Sequence, residues 1–358
     1  MTSFPLWNGD MLRRKMTTSS TTTQEGTDLF FTWLEKTFGD GSLGTSLQQP
    51  ADSAVITTSQ LRTNDLQRLF THEVSVLHVS NFYPRQSAME LGWELAQQAL
   101  SQHHQQHQEL KNWKVSTSKG LESSDVLTLG AHLPYNIAFA NHALEDYFNS
   151  VPKELRQRRR LVLDEMGEAA NDRAKLLWPL DQLRLELDEA WEHGAGVARN
   201  RGGGLPRIMM GPTRWKRGFV HVDEMAPLST HKGLFSANIY LQLPHCDSEQ
   251  THSSQPMRVP EPHPVLELWP LNIRNRWDWY RNAKTLSKLS SQDVEGQIQL
   301  RKALGPPIQV AVQPGDLVVI CAQRPHCAMG FDMTGSVRVS LQTFIEHNGK
   351  DERLIIEG

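Results

Sequence analysis

The chain of 358 residues is 38% hydrophobic with 24 glycines, enough to bury a large core as one domain with an extension or as two domains. A net charge of -3 gives no global reason to expect nucleic acid or an anionic membrane. No apolar run reaches the roughly 18 residues a transmembrane helix needs, and three cysteines (Cys246, Cys321, Cys327) are too few for a disulfide framework, which fits a reducing, cytoplasmic setting.

In chain order, residues 1–27 read as a disordered tail: their Arg, Lys, Ser and Thr faintly suggest a presequence, but a secretory apolar core is missing. From Asp28, "TDLFFTWLEKTF" has helical spacing, as does "TSQLRTNDLQRLF", while "VSVLHVSNF" alternates like a strand. "SAMELGWELAQQALSQHHQQHQ" predicts a helix that turns polar; His103 and His107, four apart among glutamines, read as a solvated face. "ELRQRRRL" is basic but has no interleaved aromatics, so it reads as an exposed helix surface, not a nucleic-acid site. "LDQLRLELDEAWEHG" closes a mainly helical region, 28–204, with a glycine stop.

The composition breaks at "RNRGGGLP", residues 199–206. Beyond it, over 205–358, come short β-type runs: "RIMM", "RGFVHV", "LFSANIYLQL", "VLELWPL", "IQVAVQ", "DLVVICA" and "SVRVSLQTFI". They predict a jelly roll, interrupted at about 274–304 by a helical insert carrying "RNRWDWYRNAK". The fold class expected is α+β, with a helical N-terminal half packed on a C-terminal jelly roll. The insert reads equally as a lid or as a helix decorating the outside.

With 15 His and 40 acidic residues, about two His-x-Asp/Glu triplets are expected by accident. Three occur: His107-Gln108-Glu109, His221-Val222-Asp223 and His245-Cys246-Asp247. Only the second has strand-like sequence on both sides; the third sits in polar "PHCDSEQTHSSQP". Residues two apart on a strand share a face, so His221 and Asp223 can aim at one point. In "VQPGDLVVICAQRPHCAMGF" a Pro-Gly-Asp turn and a buried strand precede His326, the third ligand candidate. Two His and one carboxylate on one face suit a non-haem iron with three positions left open. Twelve residues on, Arg338 and Ser340 share a strand face, a fork plus a hydroxyl suited to a carboxylate.

This order of motifs, from about Arg207 to His347, resembles the Fe(II)/2-oxoglutarate-dependent dioxygenases. Within that superfamily the stretches "HVDEMAPLS" and "SANIYLQLP" are similar to the hydroxylating relatives of free-standing halogenases, which act on amino acids and other small metabolites. A fainter likeness is to fungal amino-acid tailoring oxygenases of secondary metabolism. The resemblance implies a double-stranded β-helix, iron on His221, Asp223 and His326, and the distal carboxylate of 2-oxoglutarate on Arg338 and Ser340. It implies O2 as co-substrate, hydrogen abstraction from a C–H bond of a small-molecule substrate, and succinate and CO2 as products, with no nucleic-acid or membrane partner. Hydroxylation is the default outcome; desaturation or oxidative ring closure, as in aziridine formation, is the alternative. Asp223 argues against halogenation, because the halogenases replace this carboxylate by Gly or Ala. Asn238, Tyr240 and Phe344 are pocket candidates by strand alternation, Tyr240 equally a core residue. A non-catalytic cupin-like metal module is the other class, and the Arg338–Ser340 pair is what speaks against it.

Overall fold

The computed structural model describes residues 54–105, 110–117, 120–130, 142–164, 176–197, 204–244, 262–289 and 293–357, with helical residues at 32–33 and 36–37. The N-terminal tail, the triplet His107-Glu109 and the triplet His245-Asp247 lie outside them, as does Cys246. Among the described residues no helix is long and apolar enough to cross a membrane.

Two sheets carry the fold. The strands of the larger one run in the order β1 (Val55–Thr58), β2 (Val76–Val79), β10 (Leu317–Cys321), β7 (Gly233–Gln242), β12 (Val337–His347), β6 (Pro206–Met210), β4 (Gly120–Leu129) and β3 (Leu110–Thr117). Beside them, β13 (Leu354–Glu357) pairs with β12 and with β5 (Ala195–Val197). The smaller sheet is β11 (His326–Ala328), β8 (His263–Leu268) and β9 (Ile308–Val312).

Alternation along β7 divides the large sheet into two faces. Phe235, Ala237, Ile239 and Leu241 point outward and join Val319, Val339 and Leu341 in the principal core. Helices α1 (Thr63–Phe70), α2 (Arg85–Gln105) and α4 (Pro179–Ala190) contribute to that core; α3 (Leu144–Asp164) is the other long helix of this half. In α1 the buried Leu66, Leu69 and Phe70 recur at helical spacing. In α2 small residues recur as well, and Gly92 has a specific reason. A Cβ there would lie 2.7 Å from the Leu241 carbonyl carbon, so only glycine lets the helix sit this close to β7. Tyr240, Val318 and Ile320 face the other way and meet Val265, Leu266, Leu268, Val310 and Val312 of the smaller sheet in a second core.

The N-terminal region, expected as mainly helical, carries strands beside helices α1 to α4. It supplies β1 to β5, and all five belong to the same sheet as the C-terminal strands. Of these only β2 has an apolar alternation visible in sequence. Hairpin β3–β4 reads "LKNWKVST" and "GLESSDVLTL", with polar residues diluting the period-2 pattern at the sheet's edge.

The insert forms helices α5 (Arg276–Arg281), α6 (Ala283–Leu286) and α7 (Val294–Leu304). Its Leu286, Leu289, Leu300 and Leu304 build a third core with Val220, Val222, Trp269, Leu271 and Cys327. The insert therefore packs directly beneath the segment that carries His221 and Asp223.

Two buried histidines set an acid limit on this fold. His72 and His347 stack on Phe235 and Phe70, and each has an Nδ1 without a hydrogen-bond partner. Burial brings both down from 6.5 to about 4, helped at His72 by Arg324 and at His347 by His231. Between those values the unfolded chain binds protons that the folded one refuses. Stability is thus fully present above pH 6.5 and is lost as pH falls toward 4, by on the order of 3 kcal/mol per histidine at most. The urea midpoint should drop between pH 7 and pH 5, and His72→Phe with His347→Phe should flatten that slope. An equal slope in the double variant would exclude these two groups as its source.

Candidate metal centre

The segment expected as a strand, "RGFVHV", is not one. Among the described residues its ladder contact is a single antiparallel bridge, His221 to His326. Trp215–Gly218 forms a turn, with the Gly218 amide donating to the Trp215 carbonyl, and Gly218 sits at φ +74, where an added Cβ would lie 2.1 Å from the Ala328 carbonyl oxygen. After that turn, Val220 is held by a side chain instead of a neighbouring strand. The Gln297 carboxamide, from α7, accepts the Val220 N–H at 2.9 Å and donates to the Val220 carbonyl at 3.2 Å. His221 and His326 then exchange backbone hydrogen bonds of 2.9 and 3.0 Å, and the Asp223 amide donates to the Ala322 carbonyl at 2.9 Å. The extended geometry predicted for His221 and Asp223 is reached by these pairings.

His326 arrives from the opposite side. Gly315, at φ +90, lets the Pro314–Asp316 turn close, and the Asp316 carboxylate accepts from the Gln313 and Asn81 amides and His78 Nε2. The fully buried β10 follows. The fully buried Arg324 then donates to the Leu271 carbonyl and Asn272 Oδ1, fixing the corner before β11.

The three side chains converge. One ligand atom from each of His221, Asp223 and His326 lies within 4.8 Å of the others. His221 Nε2 is 3.7 Å from Asp223 Oδ1, and His326 Nε2 is 3.3 Å from Asp223 Oδ2. Metal bonds of about 2.1 Å at right angles separate ligand atoms by about 3 Å, so the spacing suits one ion. Both imidazoles are oriented for it: His221 Nδ1 donates to the Phe219 carbonyl at 3.0 Å and His326 Nδ1 to the Arg324 carbonyl at 2.8 Å. With Nδ1 carrying the proton, each Nε2 offers its lone pair to the centre, the outer-shell device of histidine metal sites. The Phe219 ring stacks on His221 at 5.5 Å.

Electrostatics agree with a cation site. Burial pushes Asp223 up, but the His326 hydrogen bond and the charges of His326, His221 and Arg207 outweigh it and hold the carboxyl at about 2. Burial and the neighbouring His326 bring His221 down to about 4, leaving it neutral at physiological pH. For His326 burial acts downward, but the bond to Asp223 prevails and raises it. A metal entering the site would displace the proton from His326 Nε2, and the resulting set of two imidazoles and one anionic oxygen fits a divalent transition metal.

Arg338 and Ser340 lie on the inner face of β12. Arg338 is 5% exposed; its guanidinium donates to the Met329 carbonyl at 2.6 Å and contacts Met209 Sδ. Ser340 is paired across the sheet with Tyr240 on one side and Arg207 on the other. Tyr240 is buried, and burial, eased by Arg338 and Arg207, pushes its hydroxyl up to about 12, so it stays neutral. Asn238 is half-buried and donates to Ser236 Oγ, which also accepts from Gln342. Phe344 is half-buried on the same side of β12, opposite Ser236.

Sequence reasoning missed two residues here. Gln297 gave no signal, since a glutamine on a helix 77 residues away is not recognisable as the partner of Val220. Arg207 gave a weak one: a lone cation inside the apolar run "LPRIMM", in phase with Met209. A cavity of about 390 Å³ beside α7, lined by Trp215, Trp269, Ile298 and Lys302 among others, includes none of the three converging residues.

Gln297→Leu tests the positioning role. It leaves both Val220 backbone groups unpaired, which costs about 1–3 kcal/mol of stability, and should loosen His221. Divalent-metal affinity is expected to fall about 10-fold or more, read by equilibrium dialysis with Co(II). A variant that loses stability and keeps its metal affinity would make Gln297 merely structural.

No protein-family model matches the chain, and no curated protein does. Among solved structures, it is similar to the non-heme α-ketoglutarate-dependent carbocyclase SnoK from nogalamycin biosynthesis: 14% identity over 81% of this chain and 87% of that one, TM-score 0.39. The epimerase SnoN, in complex with Fe3+, α-ketoglutarate and nogalamycin RO, shows 12% identity over 80% and 84%, TM-score 0.35. A Pseudomonas putida prolyl-4-hydroxylase shows 15% identity over 80% and 98%, TM-score 0.29.

Proposed function

We propose that the protein is a non-haem Fe(II)/2-oxoglutarate-dependent oxygenase acting on a C–H bond of a small metabolite, an amino acid or a derivative of one. The observation that carries this reading is the convergence of two Nδ1-anchored histidines and one carboxylate within 4.8 Å. Three protein ligands on one face leave positions for a chelating 2-oxo acid and for O2. The overall change balances as R–H + O2 + 2-oxoglutarate giving R–OH + succinate + CO2, one oxygen atom entering each organic product. The bound iron and 2-oxo acid supply the oxidising chemistry.

The chain's own residues bind and orient. Arg338 and Ser340 hold the distal carboxylate of 2-oxoglutarate, Arg338 by a charge-assisted pair in a site closed by Tyr240 and Met209. Tyr240, neutral, offers its hydroxyl as a donor from the next strand. Hydroxylation is the default outcome; desaturation or oxidative ring closure is the alternative. The test is succinate formation from 2-oxoglutarate with Fe(II) and O2 across a panel of free amino acids and small acids. Substrate-stimulated succinate is expected for some members. Metal binding without any succinate would leave a non-catalytic module.

A further inference from the structure

Arg207, half-buried on β6, stands apart from the buried arginines. On β6 it is in register with Ser340 of β12, and Ser340 with Tyr240 of β7, so the three occupy one row across the inner face of the large sheet. Its strand neighbour on the same face differs from it: Met209 is covered by Arg338. Arg158 has Glu154 and two carbonyls, Arg324 has Leu271 and Asn272, and Arg338 has Met329. Among the described residues the Arg207 guanidinium has no hydrogen-bond or ion-pair partner. The charged or ionisable groups that act on it are Asp223 and Tyr240, and its own charge is felt at His221, Asp223 and His326. Its place in the row with Ser340 and Tyr240 puts it on the inner face of the sheet, within electrostatic reach of Asp223 and not bonded to it.

A charge count says what this position is for. A divalent metal, Arg207 and Arg338 bring four positive charges to one interior. Asp223 and a 2-oxo diacid bring three negative ones, and Tyr240 is neutral. One positive charge is left over, on a half-buried guanidinium that no protein anion pairs with among the described residues. With the diacid's carboxylates taken by the metal and by Arg338 with Ser340, the unbalanced group is Arg207. We infer that Arg207 anchors a carboxylate of the organic substrate beside the metal, so that the substrate class is a carboxylic acid presented by that group. This rests on the oxygenase reading above. The bidentate fork would fix the substrate's orientation as well as its charge, deciding which C–H bond faces the metal.

The test uses the full chain loaded with Mn(II), which does not turn over, and saturating 2-oxoglutarate. Acetate, small enough to enter any carboxylate site, is the probe, and its methyl-proton relaxation is the readout. Paramagnetic enhancement of acetate relaxation is expected in the wild type, reduced about 10-fold or more in Arg207→Met. Arg207→Lys should retain part of it, and guards against a misfolded methionine variant. Mn(II) and 2-oxoglutarate affinities should stay close to wild type in both variants. No enhancement in the wild type, or equal enhancement in Arg207→Met, overturns the inference while leaving the metal centre standing. A 2-oxoglutarate affinity that collapses in Arg207→Met also overturns it, by giving this arginine to the co-substrate. Failure of the wild type to bind Mn(II) and 2-oxoglutarate at all would remove the oxygenase reading itself.

Discussion

Asp223→Gly is expected to leave a folded protein whose 2-oxoglutarate-dependent turnover is reduced by on the order of 100-fold or more, since a metal ligand outranks the outer-shell groups that alone contribute 10- to 100-fold. The backbone tie from the Asp223 amide to Ala322 survives the change, so the local path of the chain is kept. What disappears is the anionic oxygen between His221 and His326. A metal held by the two histidines would then have one negative charge fewer beside it, and added azide or chloride should perturb its absorption far more than in the wild type. If Asp223 were an ordinary polar residue near two histidines, the change would cost a hydrogen bond and little else. A variant that keeps its turnover and ignores azide would establish that plainer role.

Arg338→Ala should raise the apparent dissociation constant for 2-oxoglutarate by about 30-fold or more while leaving metal affinity unchanged. Removing one partner of a charge-assisted pair in a dry site costs roughly 2–5 kcal/mol. Arg338 is almost wholly buried, and burial already pulls its pKa down against the steadying influence of Tyr240, so an anion arriving there gains most of its pairing energy. Arg338→Lys should restore little, because the ammonium lacks the planar fork that Ser340 complements. An unchanged 2-oxoglutarate constant would move the co-substrate carboxylate elsewhere, and Arg207, one strand over, would be the first place to look.

The convergence of His221, Asp223 and His326 was legible because each depends on local signals: an i,i+2 spacing, a Pro-Gly-Asp turn and a five-residue apolar strand. The means of convergence was not. "RGFVHV" reads as a strand, but Gly218 breaks the run and Gln297 takes over the hydrogen bonds of Val220, a partnership fixed only by tertiary packing. The same limit applies to Arg207, whose place in the row with Ser340 follows from strand register and not from any neighbour in sequence. Helices α1, α2, α4 and the insert were legible from apolar spacing. The strands β3, β4 and β5 were not, because edge strands carry polar residues on more than one face and short ones carry almost no period. Pairing the N-terminal β2 with β10, across more than 200 residues, is likewise a property of the whole sheet.

The central claim is that these three residues hold one divalent metal, and equilibrium dialysis against Fe(II) under anaerobic conditions tests it most directly. The wild type should retain one iron per chain, and His221→Ala and His326→Ala should each lose it while keeping their circular dichroism. The affinity should also weaken as pH falls, because protons compete for His326, whose pKa the Asp223 bond raises. Full iron occupancy in both histidine variants would contradict the account, placing the metal on other residues or leaving the His–Asp–His group as a hydrogen-bonded cluster with no metal role.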